Sequence, residues 1–156
     1  MSRHDEMVRR IESVFAGAFK VSTRNNNLPR FRGIAYRDKS VYRPDVIFHD
    51  KRSGEITHII EVETSKAGKS VVGSAILADY CIGDHIIRGE NNQSSEPHMV
   101  FVFLGENPRI ELVPKRLNKV EEMGYLKHLK QPILICRDRE AIEIIRSTYG
   151  TSLTRA

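Results

Sequence analysis

Two glutamates stand two residues apart at the end of an apolar run: Ile59, Ile60, Glu61, Val62, Glu63, Thr64. Glutamate is disfavoured in strands, and most of all in buried ones, because its charge loses water there. Side chains alternate along a strand, so Glu61 and Glu63 would share one face with backbones about 6–7 Å apart, while Ile60 and Val62 point to the other. Two like charges beside an apolar run cost free energy unless something positive lies between them. A divalent cation meets that need, since Mg²⁺ takes carboxylate oxygens and keeps several waters. Asp45 follows Pro44 at the start of an earlier strand-like run, and Ser53-Gly54 between the two runs reads as a hairpin turn. Antiparallel pairing could then bring Asp45 beside Glu61, so that three carboxylates converge. A cation held there could polarise a phosphate oxygen and activate a water for attack on phosphorus. The same residues admit a plainer reading, with Asp45 as a turn residue after proline and both glutamates on a solvent-facing edge strand, paired with Arg or Lys.

The elements that must position these residues follow from periodicity. Val8, Ile11, Phe15 and Ala18 recur at helical spacing, and Ser2 with Asp5 resembles a capping box, so a helix is expected over residues 3–19. Strands are expected over 31–36, 45–49 and 56–64. Val72, Ile76, Tyr80 and Ile86 supply one face of a long helix over 70–88. The continuous apolar run 99–104 marks a strand buried on both faces. Pro114 can open a helix that ends near Gly124, and 133–136 reads as a strand. Asp138 can cap a last helix that runs to about Tyr149 and stops at Gly150. A hairpin joined to strands that alternate with helices predicts an α/β fold with a mixed central sheet flanked by helices. At 156 residues the chain is expected to be a single domain, residues 1–156.

The whole formal excess of +5 lies in residues 24–52, where eight basic residues face three acids. Arg24, Arg30, Arg32, Arg37 and Arg43 are interleaved there with Phe31, Tyr36, Tyr42 and Phe48. Arginines with aromatic rings suit a nucleic-acid backbone and its exposed bases. A solvated, charged hairpin would have the same composition. Cys81 and Cys136 sit in apolar runs without zinc-type or redox spacing and read as buried, reduced thiols. His49 and His58 lack the spacing of a zinc pair and read as structural. No apolar run is long enough to span a bilayer, and no apolar core follows the first residues, so an intracellular, cytoplasmic chain without a membrane partner is expected.

Pro44-Asp45, a hairpin, and Glu61-Val62-Glu63 closing an apolar strand together resemble the PD-(D/E)xK motif of the restriction-endonuclease-like nuclease superfamily. The expected order of helix, three strands, helix and strand also resembles that superfamily's core. It covers about residues 7–104, with a further helix, strand and helix added at the C-terminal end. The resemblance implies a metal-dependent DNA endonuclease that hydrolyses phosphodiester bonds with Mg²⁺ or Mn²⁺. Asp45 and Glu61 would be metal ligands. Glu63 stands where the superfamily usually has lysine; some restriction enzymes carry Glu there, to bind metal or position the water. Lys66 would then stabilise charge developing on the phosphate, with Lys69 as a second candidate and a solvated loop as the plain reading of both. Glu12 borders the apolar stripe of the first helix and would be an accessory metal-site residue, as some members use a helix glutamate; otherwise it is a surface charge. The glutamine motif of the RecB-like branch is not matched, because Ile76 stands four residues before Tyr80. The resemblance also implies DNA as partner and admits a homodimer, since cutting both strands needs two sites. The departure at Glu63 keeps open a catalytically inactive nucleic-acid-binding module, or a subunit of a larger DNA-processing complex.

Overall fold

The computed structural model of the protein describes residues 2–24, 35–36, 39–40, 42–64, 68–87, 95–105 and 110–149. The Ser2 hydroxyl caps the first helix, α1 (Arg3–Phe15), by accepting the Asp5 N–H at 3.1 Å, and Asp5 and Glu6 complement the positive end of its dipole. Met7, Val8, Ile11 and Phe15 form its buried stripe. The helix ends at Phe15 and not at Phe19, because Gly17 is a poor helix former and the chain turns over residues 16–18 into β1 (Lys20–Thr23). Periodicity does not reveal β1, since four residues carry too short a pattern. The strand expected over 31–36 is present among the described residues only as β2 (Ala35–Tyr36). It pairs with β3 (Lys39–Ser40) in a separate two-stranded sheet and does not join the main one.

The expected hairpin joins β4 (Val46–His49) to β5 (Ile56–Glu63). Its turn is held by Asp50 Oδ1, which accepts the N–H of Arg52 and of Ser53, each at 2.9 Å. Gly54 closes it at φ +76°, a conformation that favours glycine. After α2 (Gly68–Ile87), β6 (His98–Phe103) runs parallel to β5. A 3₁₀ turn (Ile110–Leu112) and α3 (Val113–Glu122) lead to β7 (Lys130–Arg137), parallel to β6. β7 is an edge strand, which is why it tolerates Pro132. Asp138 opens a 3₁₀ turn (Asp138–Glu140) instead of capping, and α4 (Ala141–Ser147) follows.

The result is an α/β architecture around a mixed five-stranded sheet of order β1-β4-β5-β6-β7, antiparallel from β1 to β5 and parallel from β5 to β7. Alternation sorts the strands into two apolar layers. Val46, Phe48, Ile60, Val62, Val100 and Val102 pack with α1 and α4, and Ile47, Ile59, Met99, Phe101 and Phe103 pack with α2 and α3. β6 is buried on both faces, as its continuous run predicts. No helix among the described residues is long and apolar enough to cross a membrane.

Two buried polar side chains tie the layers to the sheet. His58 lies in the α1/α4 layer between Phe19 and Phe48, with ring centroids at 5.2 and 5.1 Å. Its Nε2 meets Thr148 Oγ1 and its Nδ1 meets Thr57 Oγ1, both at 2.8 Å. The Thr148 hydroxyl gives its hydrogen to the Ile145 carbonyl at 2.7 Å, so Nε2 of His58 is the donor and the ring is the neutral Nε2–H tautomer. The structural role expected for His58 is thus explicit. Asp79, on α2, is 4 % exposed. Its Oδ2 accepts the N–H of both His128 and Leu129, at 2.8 and 3.1 Å, and so fixes the approach to β7. Asp79→Ala would strand two donors and is expected to cost about 2–4 kcal/mol. Urea unfolding would register this as a lower midpoint at unchanged slope.

Candidate functional site

Pairing of Val46 with Ile60 carries Asp45 alongside Glu61. The Asp45 N–H donates to Glu61 Oε1 at 2.8 Å, and the Val62 N–H donates to Asp45 Oδ2 at 2.8 Å. Each carboxyl group therefore grips the other's strand. Both are buried, Asp45 at 7 % and Glu61 at 8 % exposure. They lie where β4 begins and β5 nears its C-terminal end, the rim at which open α/β sheets usually place ligands. Because β5 is the central strand, Glu61 and Glu63 do not occupy the solvent-facing edge that the plainer reading required.

Two basic side chains stand beside the remaining oxygen of Asp45. His4 Nε2, at the start of α1, stands 3.1 Å from Oδ1, and Arg24 Nε stands 3.8 Å from it. Arg24 is fixed in turn by its Nη2, which donates to the Arg43 carbonyl at 2.7 Å. Glu61 has the opposite surroundings. Burial first, and then the charge of Asp45, push its carboxyl up to about 8; Glu63 adds to the rise, while the Asp45 N–H and Arg24 oppose it. Tyr42 is buried in the α2 layer with Ile47, Val71 and Cys81. Its phenol is raised well above the ordinary 10, by burial first and then by Glu61, Cys81, Asp45 and Glu63, so it lies beside the acids.

The structure brings Asp45 and Glu61 into direct contact. Glu63, half-buried as the last residue of β5, is near enough for its charge to act on Glu61 and Tyr42. Lys66 and the side chain of Lys69 lie outside the described residues, as do Arg30, Arg32, Arg37 and Phe31. Arg24 reaches the site and Arg43 is exposed next to it. Tyr42 and Phe48 are buried, at 6 % and 0 % exposure, which removes both from stacking on bases. They alternate with arginines in sequence, but Tyr42 packs into the α2/α3 layer and Phe48 into the α1/α4 layer. On α1, the residue that reaches Asp45 is His4, whereas Glu12 lies eight residues further on, about 12 Å of helical rise. The signal for His4 was present, because four residues before Val8 it continues the apolar stripe to the helix start. The cysteines are buried, and burial pushes both thiols up to about 12, so neither offers a thiolate.

Among the described residues no group of three or more His, Cys, Asp or Glu side chains stands in a geometry ready to hold a metal ion. The donor set nevertheless suits a hard cation. Mg²⁺ is commonly held through only one or two carboxylates plus waters, and a carboxylate oxygen that accepts one N–H keeps another lone pair. No protein-family model, curated protein or solved structure matches this chain.

Proposed function

We propose that the chain is a metal-dependent DNA endonuclease of the restriction-endonuclease-like kind, in which Asp45 and Glu61 hold Mg²⁺ or Mn²⁺ and Glu63 adds a ligand or orients the water. The observation that carries this reading is the mutual burial of Asp45 and Glu61 at the sheet's rim, with arginines beside them. Two adjoining buried acids destabilise each other, and a divalent cation turns that repulsion into attraction. The order of the main-sheet elements also supports it: a helix, three antiparallel strands, a helix and a parallel strand, with the separate β2–β3 pair inserted after the first strand. When bound, the ion supplies Lewis acidity toward a phosphodiester oxygen and lowers the pKa of a water. Arg24 and Arg43 would hold the DNA backbone, and Lys66 would stabilise charge developing on the phosphate. Arg24→Ala is expected to weaken DNA binding evenly across sequences and to flatten the log–log salt slope by about 1. Anisotropy titrations at several salt concentrations would read both.

A second reading rests on the reciprocal bonds between the strands. They make Asp45 and Glu61 a lock on β4 and β5, which a DNA-binding module without catalysis could use equally well. Incubating the protein with supercoiled plasmid and branched DNA, in Mg²⁺ or Mn²⁺, separates the two. Metal-dependent nicking by the native chain, absent in Asp45→Asn and Glu61→Gln, establishes the nuclease. DNA binding without nicking under either metal leaves the binding module.

A further inference from the structure

His4, in the first turn of α1, holds its ring between two carboxylates. Its Nε2 stands 3.1 Å from Asp45 Oδ1, and its Nδ1 stands 3.4 Å from Asp5 Oδ1. An ionised carboxylate only accepts hydrogen bonds, and a neutral imidazole carries one N–H. Whichever ring nitrogen lacks the hydrogen therefore turns its lone pair on a carboxylate oxygen. Such a contact persists only with something positive in it, a second proton or a metal ion. The two sides differ in their access to water. Asp5 is exposed, whereas Asp45 is buried. Oδ2 of Asp45 accepts the Val62 N–H, so Oδ1, the oxygen that His4 meets, is the one left to bind a cation. Arg24, the other base at this oxygen, stays charged and has no lone pair to offer.

We propose that His4 Nε2 joins Asp45 Oδ1 as a ligand of the bound cation, and that this nitrogen turns the site's preference from Mg²⁺ toward Mn²⁺ and, more strongly, Co²⁺. The inference rests on the reading of Asp45 and Glu61 as a metal site. Neighbouring ligands at about 2.1 Å from a six-coordinate ion stand about 3 Å apart, which the 3.1 Å between Nε2 and Oδ1 matches. A ligating histidine commonly gives its other N–H to a carboxylate, which fixes the tautomer and the ring. Asp5 is placed to take that hydrogen from Nδ1. Asp45 and His4 are thus two donors already in place, and Glu61 and waters complete the shell as the ion enters. The ring of His4 is partly exposed, which leaves the ion a way in. Mg²⁺ favours an all-oxygen shell and dehydrates reluctantly, whereas imidazole suits transition ions, whose affinities rise from Mn²⁺ to Co²⁺.

Titration calorimetry of the untagged full chain with Mg²⁺, Mn²⁺ and Co²⁺, without DNA, tests the assignment. The native chain is expected to bind Co²⁺ about tenfold or more tighter than Mg²⁺. His4→Gln keeps a polar side chain that can still donate to Asp45, but offers no imidazole nitrogen. It is expected to lower Co²⁺ affinity by about 10- to 100-fold, as loss of a ligand's support does, and Mg²⁺ affinity by less than about threefold. His4→Ala should show the same loss for Co²⁺, and thermal melts in EDTA establish that both variants fold. Affinities that His4→Gln leaves unchanged, or lowers equally for all three ions, overturn the proposal, because His4 then only orients Asp45. The metal reading survives that result if Asp45→Asn still abolishes binding. Binding of no ion by the native chain, or binding indifferent to Asp45→Asn and Glu61→Gln, overturns both.

Discussion

Asp45→Asn and Glu61→Gln are each expected to lower Mg²⁺-dependent DNA cleavage by about 10³-fold or more, while moving stability in opposite directions. The activity loss follows from removing one of two carboxylates that hold the ion, whose stabilisation of the reacting phosphate is worth several kcal/mol, at about 1.4 kcal/mol per factor of ten. The stability effect follows from the environment of Glu61. Its carboxyl sits at about 8 in the folded chain against an ordinary 4.5, so between those values the folded state holds a proton that the unfolded state releases. Stability therefore falls as pH rises from 4.5 to 8, and at pH 7 the penalty is about 3 kcal/mol. Glutamine keeps an oxygen for the Asp45 N–H and carries no charge. The metal-free Glu61→Gln chain is thus expected to be on the order of 2–3 kcal/mol more stable than the native chain at pH 7. Asp45→Asn removes the charge that His4 and Arg24 face, and is expected to cost about 1–2 kcal/mol. Denaturation in EDTA beside plasmid nicking in Mg²⁺ checks both. Cleavage surviving Glu61→Gln would remove Glu61 from the site, and a Glu61→Gln chain less stable than the native would mean that its burial is not costly.

Acidification is expected to destabilise the metal-free Glu61→Gln chain by about 4 kcal/mol between pH 7 and 5, and the native chain by only about 1. The loss comes from two histidines held neutral. Burial, with a smaller contribution from His98, lowers His58 from 6.5 to about 3. Burial, then Lys20 and His85, lower His49 to about 4. A basic group lowered on folding is protonated first in the unfolded chain. The stability it supports is complete above pH 6.5 and drains as pH falls toward the folded values, at about 1.4 kcal/mol per pH unit for each ring. In the native chain Glu61 works against this, since the folded state gains stability from its retained proton as pH falls over the same range. Urea midpoints measured from pH 5 to 8 read the difference between the two chains directly. Parallel profiles would show that Glu61 titrates normally, and a flat profile in Glu61→Gln would show that His49 and His58 take up protons without unfolding.

Much of this architecture is legible in the chain itself. Val8, Ile11 and Phe15 mark α1, the apolar run 99–104 marks a strand buried on both faces, and Ser53-Gly54 mark the hairpin that brings Asp45 toward Glu61. These are local signals, repeating every two or 3.6 residues, and they hold wherever the element finally packs. The α/β class and mixed sheet follow from their order. β1 is not legible, since four residues without a period look like a helix end, and neither is the departure of β2 into a sheet of its own.

The candidate site was legible as residue types and as the pairing of Asp45 with Glu61, but not in its burial or its other partners. Glu61 and Glu63 two apart predict one shared face, but whether that face is wet or buried depends on β5 becoming the central strand. Tyr42 looked like a ring for stacking on bases and is instead core beside the acids. His4 reaches Asp45 from 41 residues away only because α1 begins at the rim where β4 starts. Sequence by itself therefore determined which elements form and which side chains each face carries, because the backbone's short repeat is fixed within a few residues. Tertiary structure alone decided strand order, burial and the charge each acid feels. Those depend on contacts between residues far apart in the chain, whose pairing is selected by the apolar area that the whole sheet can bury at once.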